Sequence, residues 1–424
     1  LTLLALGAVS PLRAEVLTLG QALDQALVRN TTIGRAQAGL KVAEAEKKGT
    51  LAAILPQVNL KGYFARNTTE ITYELQGTDV LLLPRDDWNG SITLEQPIFA
   101  GLREQKAYRQ SKLAVDQARE GVRGTEDSIL LKVATDYLNI VESDAVVEIE
   151  KKNLDLAKKR QKQADDFYEA GESTKADALR ALADVKRAER RLTSVERDRE
   201  VAASALRVDI GLEGPVAVED PGTIGLPMPA EPDLVTAALL SRPELAQAQG
   251  NVNVAELEIA KQKGAYLPTV TAEASYIRQK INFPTDRYGY AKVNVTVPVF
   301  DSGETAAHVA VARGQLKDAQ LALEDLRLRV REDVHTALLD LDTAHKSLSL
   351  AEEQERASGA EYDQTFEQYR NQEATSLDVG TAEAGLADAR RAVAAGRIDV
   401  AVGELKVWYA VGSLKAAVLK EVHP

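Results

Sequence analysis

"VNVTVPVFDSGET", residues 293–305, holds two structural periods within thirteen residues. Val293, Val295, Val297 and Val299 alternate with Asn294, Thr296 and Pro298, which is the period of a strand with unlike faces. Asp301, Ser302 and Gly303 break it, and Glu304 opens about seventy residues of helical pattern. Nearly the same statement stands earlier as "SITLEQPIFAGLRE", residues 91–104. Aligning Pro97 with Pro298 and Phe99 with Phe300 sets an offset of 201 residues, and the same offset pairs Tyr168 with Tyr369, Asp177 with Asp378 and Gly211 with Gly412. Upstream, "ILPQV" (54–58) matches "YLPTV" (266–270) at 212. The chain is therefore one unit written twice, the first copy about eleven residues longer between Val58 and Pro97.

Each copy reads as a short helix (19–30; 232–241), a medium helix (about 31–54; about 243–265), a strand pair, a very long helix (about 101–170; about 303–370) and a fourth helix (about 173–210; about 375–411). Leu-Pro ends each medium helix, because proline forces the residue before it out of the helical region. The repeats occupy 15–210 and 234–424. The Pro/Gly-rich stretch between them, 211–233, reads as a linker.

The expected strands are 57–66, 88–98, 269–277 and 289–299. In the first, Val58, Leu60, Gly62 and Phe64 oppose Gln57, Asn59, Lys61 and Tyr63. In the second, Trp88, Ile92, Leu94 and Ile98 oppose Asn89, Ser91, Thr93 and Glu95. The polar faces carry Lys61, Glu95, Glu273 and Lys292, balanced in sign, and aromatics sit toward the strand ends. About ten residues is the length of a tilted strand crossing a bilayer. Four strands close no barrel, so closure requires several chains. The intervening stretches, about 67–87 and 279–288, read as loops.

The long helices carry a coiled-coil seam. Leu316, Ala319, Leu323, Leu326, Val330, Val334, Ala337, Leu341, Ala344, Leu348 and Ala351 follow 3-4 spacing with one stutter. Seventy helical residues run about 100 Å, longer than a compact domain holds.

Composition excludes other classes. The 424 residues carry 52 Lys and Arg against 64 Asp and Glu, a formal charge of −12, which disfavours nucleic-acid binding. Cysteine is absent, so disulfides, Cys-zinc sites and thiol nucleophiles are too. The four histidines, His308, His335, His345 and His423, form no i, i+4 pair, and no metal site is expected. No Gly-rich phosphate loop is present. Carboxylate pairs fall on charged helix faces without an apolar pocket, so no catalytic residue and no cofactor are expected. Residues 1–14, "LTLLALGAVSPLRA", resemble the end of a secretory signal peptide cut near Ala14–Glu15.

The duplicated order of elements resembles the TolC-like outer membrane efflux proteins, as do the Leu-Pro-x-Val lead-in to the first strand and the Pro-[Ile/Val]-Phe exit toward a glycine and the long helix. The resemblance covers about residues 15–412. It implies a mainly α fold with a small β part: a homotrimer pooling four strands per chain into one twelve-stranded transmembrane barrel, continued by a hollow coiled-coil helical barrel in the periplasm. Lys61, Glu95, Glu273 and Lys292 would then face the barrel lumen. The function implied is a passive exit duct of a tripartite efflux or type I secretion system, with outer membrane lipid, a periplasmic adaptor and an inner-membrane pump as partners. A soluble periplasmic coiled-coil adaptor or scaffold is the alternative.

By the same resemblance, "FYEAGESTKADAL" (167–179) and "QYRNQEATSLDVG" (368–380) form the periplasmic entrance, with Gly171, Gln372 and Thr375 on the turns that meet the adaptor. Asp378 matches the entrance aspartate, three copies of which would favour cations and raise one another's pKa. Tyr369 and Asp177 match a pair that ties neighbouring coils together. Gln372 replaces the glycine kept as Gly171, Ala374 stands where an arginine can sit, and Thr381 where a second aspartate can lie.

Overall fold

The structure is a computed structural model describing residues 15–75, 77–222, 224–281, 285–371 and 373–422. The expected signal-peptide remnant at 1–14, Gln372 and His423 lie outside the described residues. The first repeat runs β1 (Glu15–Leu17), α1 (Leu19–Arg29), α2 (Thr31–Ala52), β2 (Gln57–Arg66), β3 (Ile71–Leu75), β4 (Thr78–Leu83), β5 (Asp86–Ala100), α3 (Arg103–Glu169) and α4 (Lys175–Ile210). After β6 (Val216–Val218), the second runs α5 (Glu231–Ser241), α6 (Pro243–Lys263), β7 (Thr269–Gln279), β8 (Arg287–Thr296), α7 (Glu304–Arg370), α8 (Ser376–Val411) and a last helix, α9 (Leu414–Val422). α3 and α7 have 67 residues each, α4 and α8 36 each, and both pairs start 201 residues apart.

Two compact units emerge. One comprises residues up to Ala36, Val122–Leu245 and Leu326 onward; the other comprises Gln37–Gly121 and Ala246–Asp325.

The core of the first unit joins Leu23 and Ala26 of α1, Leu130, Val133, Tyr137 and Leu138 of α3, Leu206 and Ile210 of α4, Leu405 of α8, and Leu414 and Val418 of α9. The stretch read as a linker contributes to this core. β6 pairs in parallel with β1, and Val216 and Leu226 are buried. The buried Glu404 carboxylate accepts from the Leu226 amide at 3.2 Å. The Tyr137 hydroxyl lies 2.9 Å from the Leu17 carbonyl and 2.6 Å from that of Glu219, and burial pushes its pKa up to about 12. Pro and Gly composition signalled irregular backbone, but apolar residues among them still dock.

The seam expected on α7 is the packed face. Leu323, Val330, Val334, Ala337, Leu341 and Ala351 are buried. Small residues on α8 admit it: a Cβ on Gly403 would meet Leu341 Cδ1 at 3.0 Å, and one on Gly396 would meet the Leu348 Cα at 3.3 Å.

The second unit holds an antiparallel sheet in the order β2-β5-β7-β8. Gln57, Glu95, Glu273 and Lys292 line up across all four strands, as do Val58, Leu94, Ala274 and Ala291 on the other face. A register shift between Pro97 and Phe99 leaves Ile98 without a partner on β7 and puts Phe99 opposite Val270. β5 and β7 run longer than expected. β8 stops at Thr296, three residues before the expected 299, because Val297–Phe300 lacks a ladder. The equivalent Gln96–Phe99, Ile98 excepted, pairs with β7. Val299 and Phe300 stand exposed. The stretch read as a loop at 67–87 contains the hairpin β3–β4, tied at its base by Asn67 to the Pro84 and Arg85 carbonyls, each at 2.7 Å. This hairpin occupies the longer segment of the first repeat.

Each sheet-to-helix junction turns through two left-handed residues, Gly101 (φ 64°) with Leu102 (φ 60°) and Ser302 (φ 54°) with Gly303 (φ 90°). The Asp301 carboxylate accepts from the Gly303 and Thr305 amides at 3.1 Å, which caps the start of α7.

Candidate entrance at the helix turns

The turns joining α3 to α4 and α7 to α8 are built alike. Gly171 takes φ 78°, and the Glu172 and Glu373 amides close back onto the Phe167 and Gln368 carbonyls at 2.9 and 2.8 Å. Thr174 and Thr375 then cap α4 and α8. Each threonine hydroxyl accepts from the amide three residues on, at 3.3 Å, and the aspartate at that position reaches back. Asp177 Oδ2 accepts from Thr174 Oγ1 at 2.7 Å; Asp378 Oδ2 accepts from Thr375 Oγ1 at 2.6 Å and from its amide at 2.8 Å. Thr-x-x-Asp is a capping-box signature legible in "TKAD" and "TSLD", and the sequence reading passed over it.

These bonds hold both carboxylates below the usual aspartate range. For each, the largest cause is the hydrogen bond from the threonine side chain. Within one chain the shift of Asp378 is thus downward, opposite to the expectation of repulsion among three copies. A depressed carboxylate stabilises the fold above its unfolded pKa, and that contribution fades as pH falls through the lower folded value. Both caps are expected to persist to below about pH 4. Thr174→Ala or Thr375→Ala should each cost about 1 kcal/mol of stability, read as a lower melting temperature at pH 7. The deficit should shrink in melts run below that pH.

Tyr369 is buried and meets Phe167 edge to face at 6.0 Å. Burial, and to a smaller extent the Asp177 charge, raise its hydroxyl pKa. Asp177 is thus near Tyr369, while its described hydrogen bonds go to Thr174.

A second element, absent from the sequence reading, lies further along the coils. The Arg160 side chain of α3 is 5 % exposed and bridges Asp184 of α4 and Glu383 of α8, each at 2.8 Å. A Cβ on Gly380 would stand 3.0 Å from its Nη1, so glycine there leaves room for the guanidinium. Two to three turns along, Arg391 of α8 binds the buried Glu150 of α3 at 2.6 Å. Glu383 is raised, first by burial, against the pull of Arg160. A solitary arginine in a charged helix gives no sequence signal of burial, although Gly380 one turn beyond Leu377 marks a close approach.

Lys61, Glu95, Glu273 and Lys292 share the polar face of the sheet. Lys292 Nζ lies 3.1 Å from Glu273, whose Oε1 accepts from the Tyr290 hydroxyl at 2.6 Å. Among the described residues no group of three or more His, Cys, Asp or Glu could hold a metal, and no helix is long and apolar enough to cross a membrane.

Two helical hairpins and a four-stranded sheet, each drawn equally from two repeats, define the fold of the TolC-like channels. The chain belongs to the outer membrane efflux protein family, whose profile matches residues 22–212 and 234–412. It is 24 % identical over 408 residues to the outer membrane efflux protein BepC of Brucella suis biovar 1 (strain 1330), covering 94 % of this chain and 86 % of that one. It is 23 % identical over 303 residues to the alkaline protease secretion protein AprF of Pseudomonas aeruginosa, covering 67 % and 60 %. The CmeC outer membrane channel of Campylobacter jejuni superposes with a TM-score of 0.80 at 17 % identity, over 96 % of this chain and 89 % of that one. VceC of Vibrio cholerae does so at 0.77 and 16 %, over 93 % and 96 %. The family is one of channel proteins, and this chain is an outer membrane exit duct rather than the soluble adaptor or scaffold weighed as the alternative.

Proposed function

We propose that three copies pool their sheets into one twelve-stranded barrel that passively conducts substrates outward. A periplasmic adaptor and an inner-membrane pump supply selection and energy. The observation that carries this reading is the sheet itself. β2 and β8 end it on both sides, one face bears Lys61 and the Gln57, Glu95, Glu273 and Lys292 row, and the other leaves Val58, Leu60, Ile92, Leu94, Val293 and Val295 exposed. A single chain with that apolar face and two free edges is incomplete. Closure removes both edges, turns the polar row to the lumen and presents the apolar face to lipid. Relatives named for efflux and for protease secretion, and one for pyoverdine export, support a duct whose cargo is set elsewhere. The protein is in this reading no enzyme and needs no cofactor.

The turns at Gly171, Gln372 and Thr375 meet the adaptor, Tyr369 and Asp177 hold the coils at the entrance, and three Asp378 side chains ring it. The capping geometry keeps Asp378 ionised, which suits a cation-favouring ring. In planar bilayers Asp378→Ala should assemble normally and weaken block by multivalent cations. Equal block in both proteins would remove Asp378 from the entrance.

A further inference from the structure

We propose that the cavity lined by α3, α4 and α8 is a binding site for a multiply charged oxyanion, with inorganic phosphate as its simplest ligand. Every lining residue belongs to one compact unit of one chain, so the site stands whether or not the duct assembles as described above.

The cavity has a volume of about 440 Å³ and lies just beyond the two entrance turns. α3 contributes Arg160, α8 contributes Ser376, and α4 contributes Arg180, Arg187 and Arg191. The first sign of a ligand is a pair of buried donors. Arg160 is 4 % exposed and Ser376 7 %. Glu383 and Asp184 take the two Nη atoms of Arg160, yet its Nε finds no partner among the described residues, and neither does the Ser376 hydroxyl. Buried donors are ordinarily paired, so two orphans lining one cavity mark a place where an acceptor belongs. Ser376 also opens α8, a helix of 36 residues whose dipole favours negative charge at this end.

The second sign is the row of arginines on α4. Arg180, Arg187 and Arg191 stand seven and four residues apart, which puts them on one face of the helix. All three are exposed. The coil itself does not require them, because their repeat images are Thr381, Asp388 and Ala392. Among the described residues Arg191 makes no ion pair, and Arg180 reaches only Asp177, at 3.8 Å, whose carboxylate Thr174 already holds. The lining also carries Glu150, Asp184 and Glu383, three carboxylates against four arginines, and each is engaged. Arg391, from outside the lining, binds Glu150 at 2.6 Å; Arg160 and Arg187 bind Asp184 at 2.8 and 2.9 Å; Arg160 binds Glu383 at 2.8 Å. The cationic surplus therefore lies on α4, opposite the orphan donors. Planar guanidinium forks match an oxyanion, which accepts several directed hydrogen bonds, better than a halide.

The test is calorimetric titration of inorganic phosphate into the full chain in detergent at pH 7. Chloride holds the ionic strength constant, because salt screens exposed arginines. One saturable site per chain is expected. Arg187→Gln with Arg191→Gln should weaken it about tenfold or more, since each arginine supplies a charge-assisted hydrogen bond. Ser376→Ala removes a neutral donor and should weaken it about threefold. Arg197→Gln, on the same helix but outside the cavity, should bind as the native protein does. Melting without phosphate checks that each variant is folded, and phosphate should raise the melting temperature of the native and Arg197→Gln proteins well above its effect on the double variant. Heat that never saturates, or equal affinity in the native and double-arginine proteins, would mean an adventitious ion only and would overturn the site.

Discussion

Arg160→Ala will be the most destabilising single change in the coils. It strips the buried bridge between Asp184 and Glu383, whose side chains are only 17 % and 11 % exposed. Removing one partner of a buried ion pair typically costs about 3 kcal/mol or more, because the other charge is left desolvated. Asp184 keeps Arg187 at 2.9 Å, so the penalty falls on Glu383. That gives the effect a pH signature. Burial already raises Glu383, and Arg160 opposes the rise. Without the arginine its folded pKa climbs further, so the folded variant holds a proton that the unfolded chain releases. Its stability deficit is therefore full at high pH and shrinks as pH falls through that raised value. Thermal melts of native and variant protein in detergent, at pH 8 and pH 5, check it. Glu383→Gln in the Arg160→Ala background should recover part of the loss at pH 8, and a loss independent of pH would refute the account.

Gly101→Ala will disrupt the junction between sheet and helix. Gly101 takes φ 64°, and a Cβ there would lie 2.0 Å from the Gly264 carbonyl oxygen. Gly264 is equally confined, with a Cβ 2.3 Å from the Gly101 oxygen. Neither obstacle is a flexible side chain. The left-handed backbone alone costs about 1 kcal/mol for a residue with a Cβ, and overpacking adds about 1–3 kcal/mol. We expect a strong drop in assembled protein and a lower melting temperature for what remains. Gly49→Ala on α2, where a Cβ meets nothing within 4 Å, is the control and should be neutral or slightly stabilising. Equal behaviour of the two variants would contradict the packing described here.

The sequence conveyed what depends on period and repetition. Strand alternation, proline stops and the 201-residue offset placed the four-stranded sheet, both long helices and both turns, and the heptad seam on α7 marked its packed face. Features that depend on tertiary partners stayed hidden. Residues 211–233 look like a linker because Pro and Gly dominate, yet Val216 and Leu226 find a core. Val297–Phe300 looks like strand because valines alternate, yet among the described residues no partner strand meets it. Asp177 and Asp378 were read through their family counterparts, and their local work as helix caps was in the Thr-x-x-Asp spacing all along. Arg160 could not be found from sequence, since its burial is decided by α4 and α8 converging on it.

The central claim is that this chain completes its barrel only with copies of itself. The most direct test is the mass of the protein extracted from outer membranes in mild detergent, corrected for bound detergent. The account predicts three chains per particle. A monomer or dimer recovered from the soluble periplasmic fraction would contradict it.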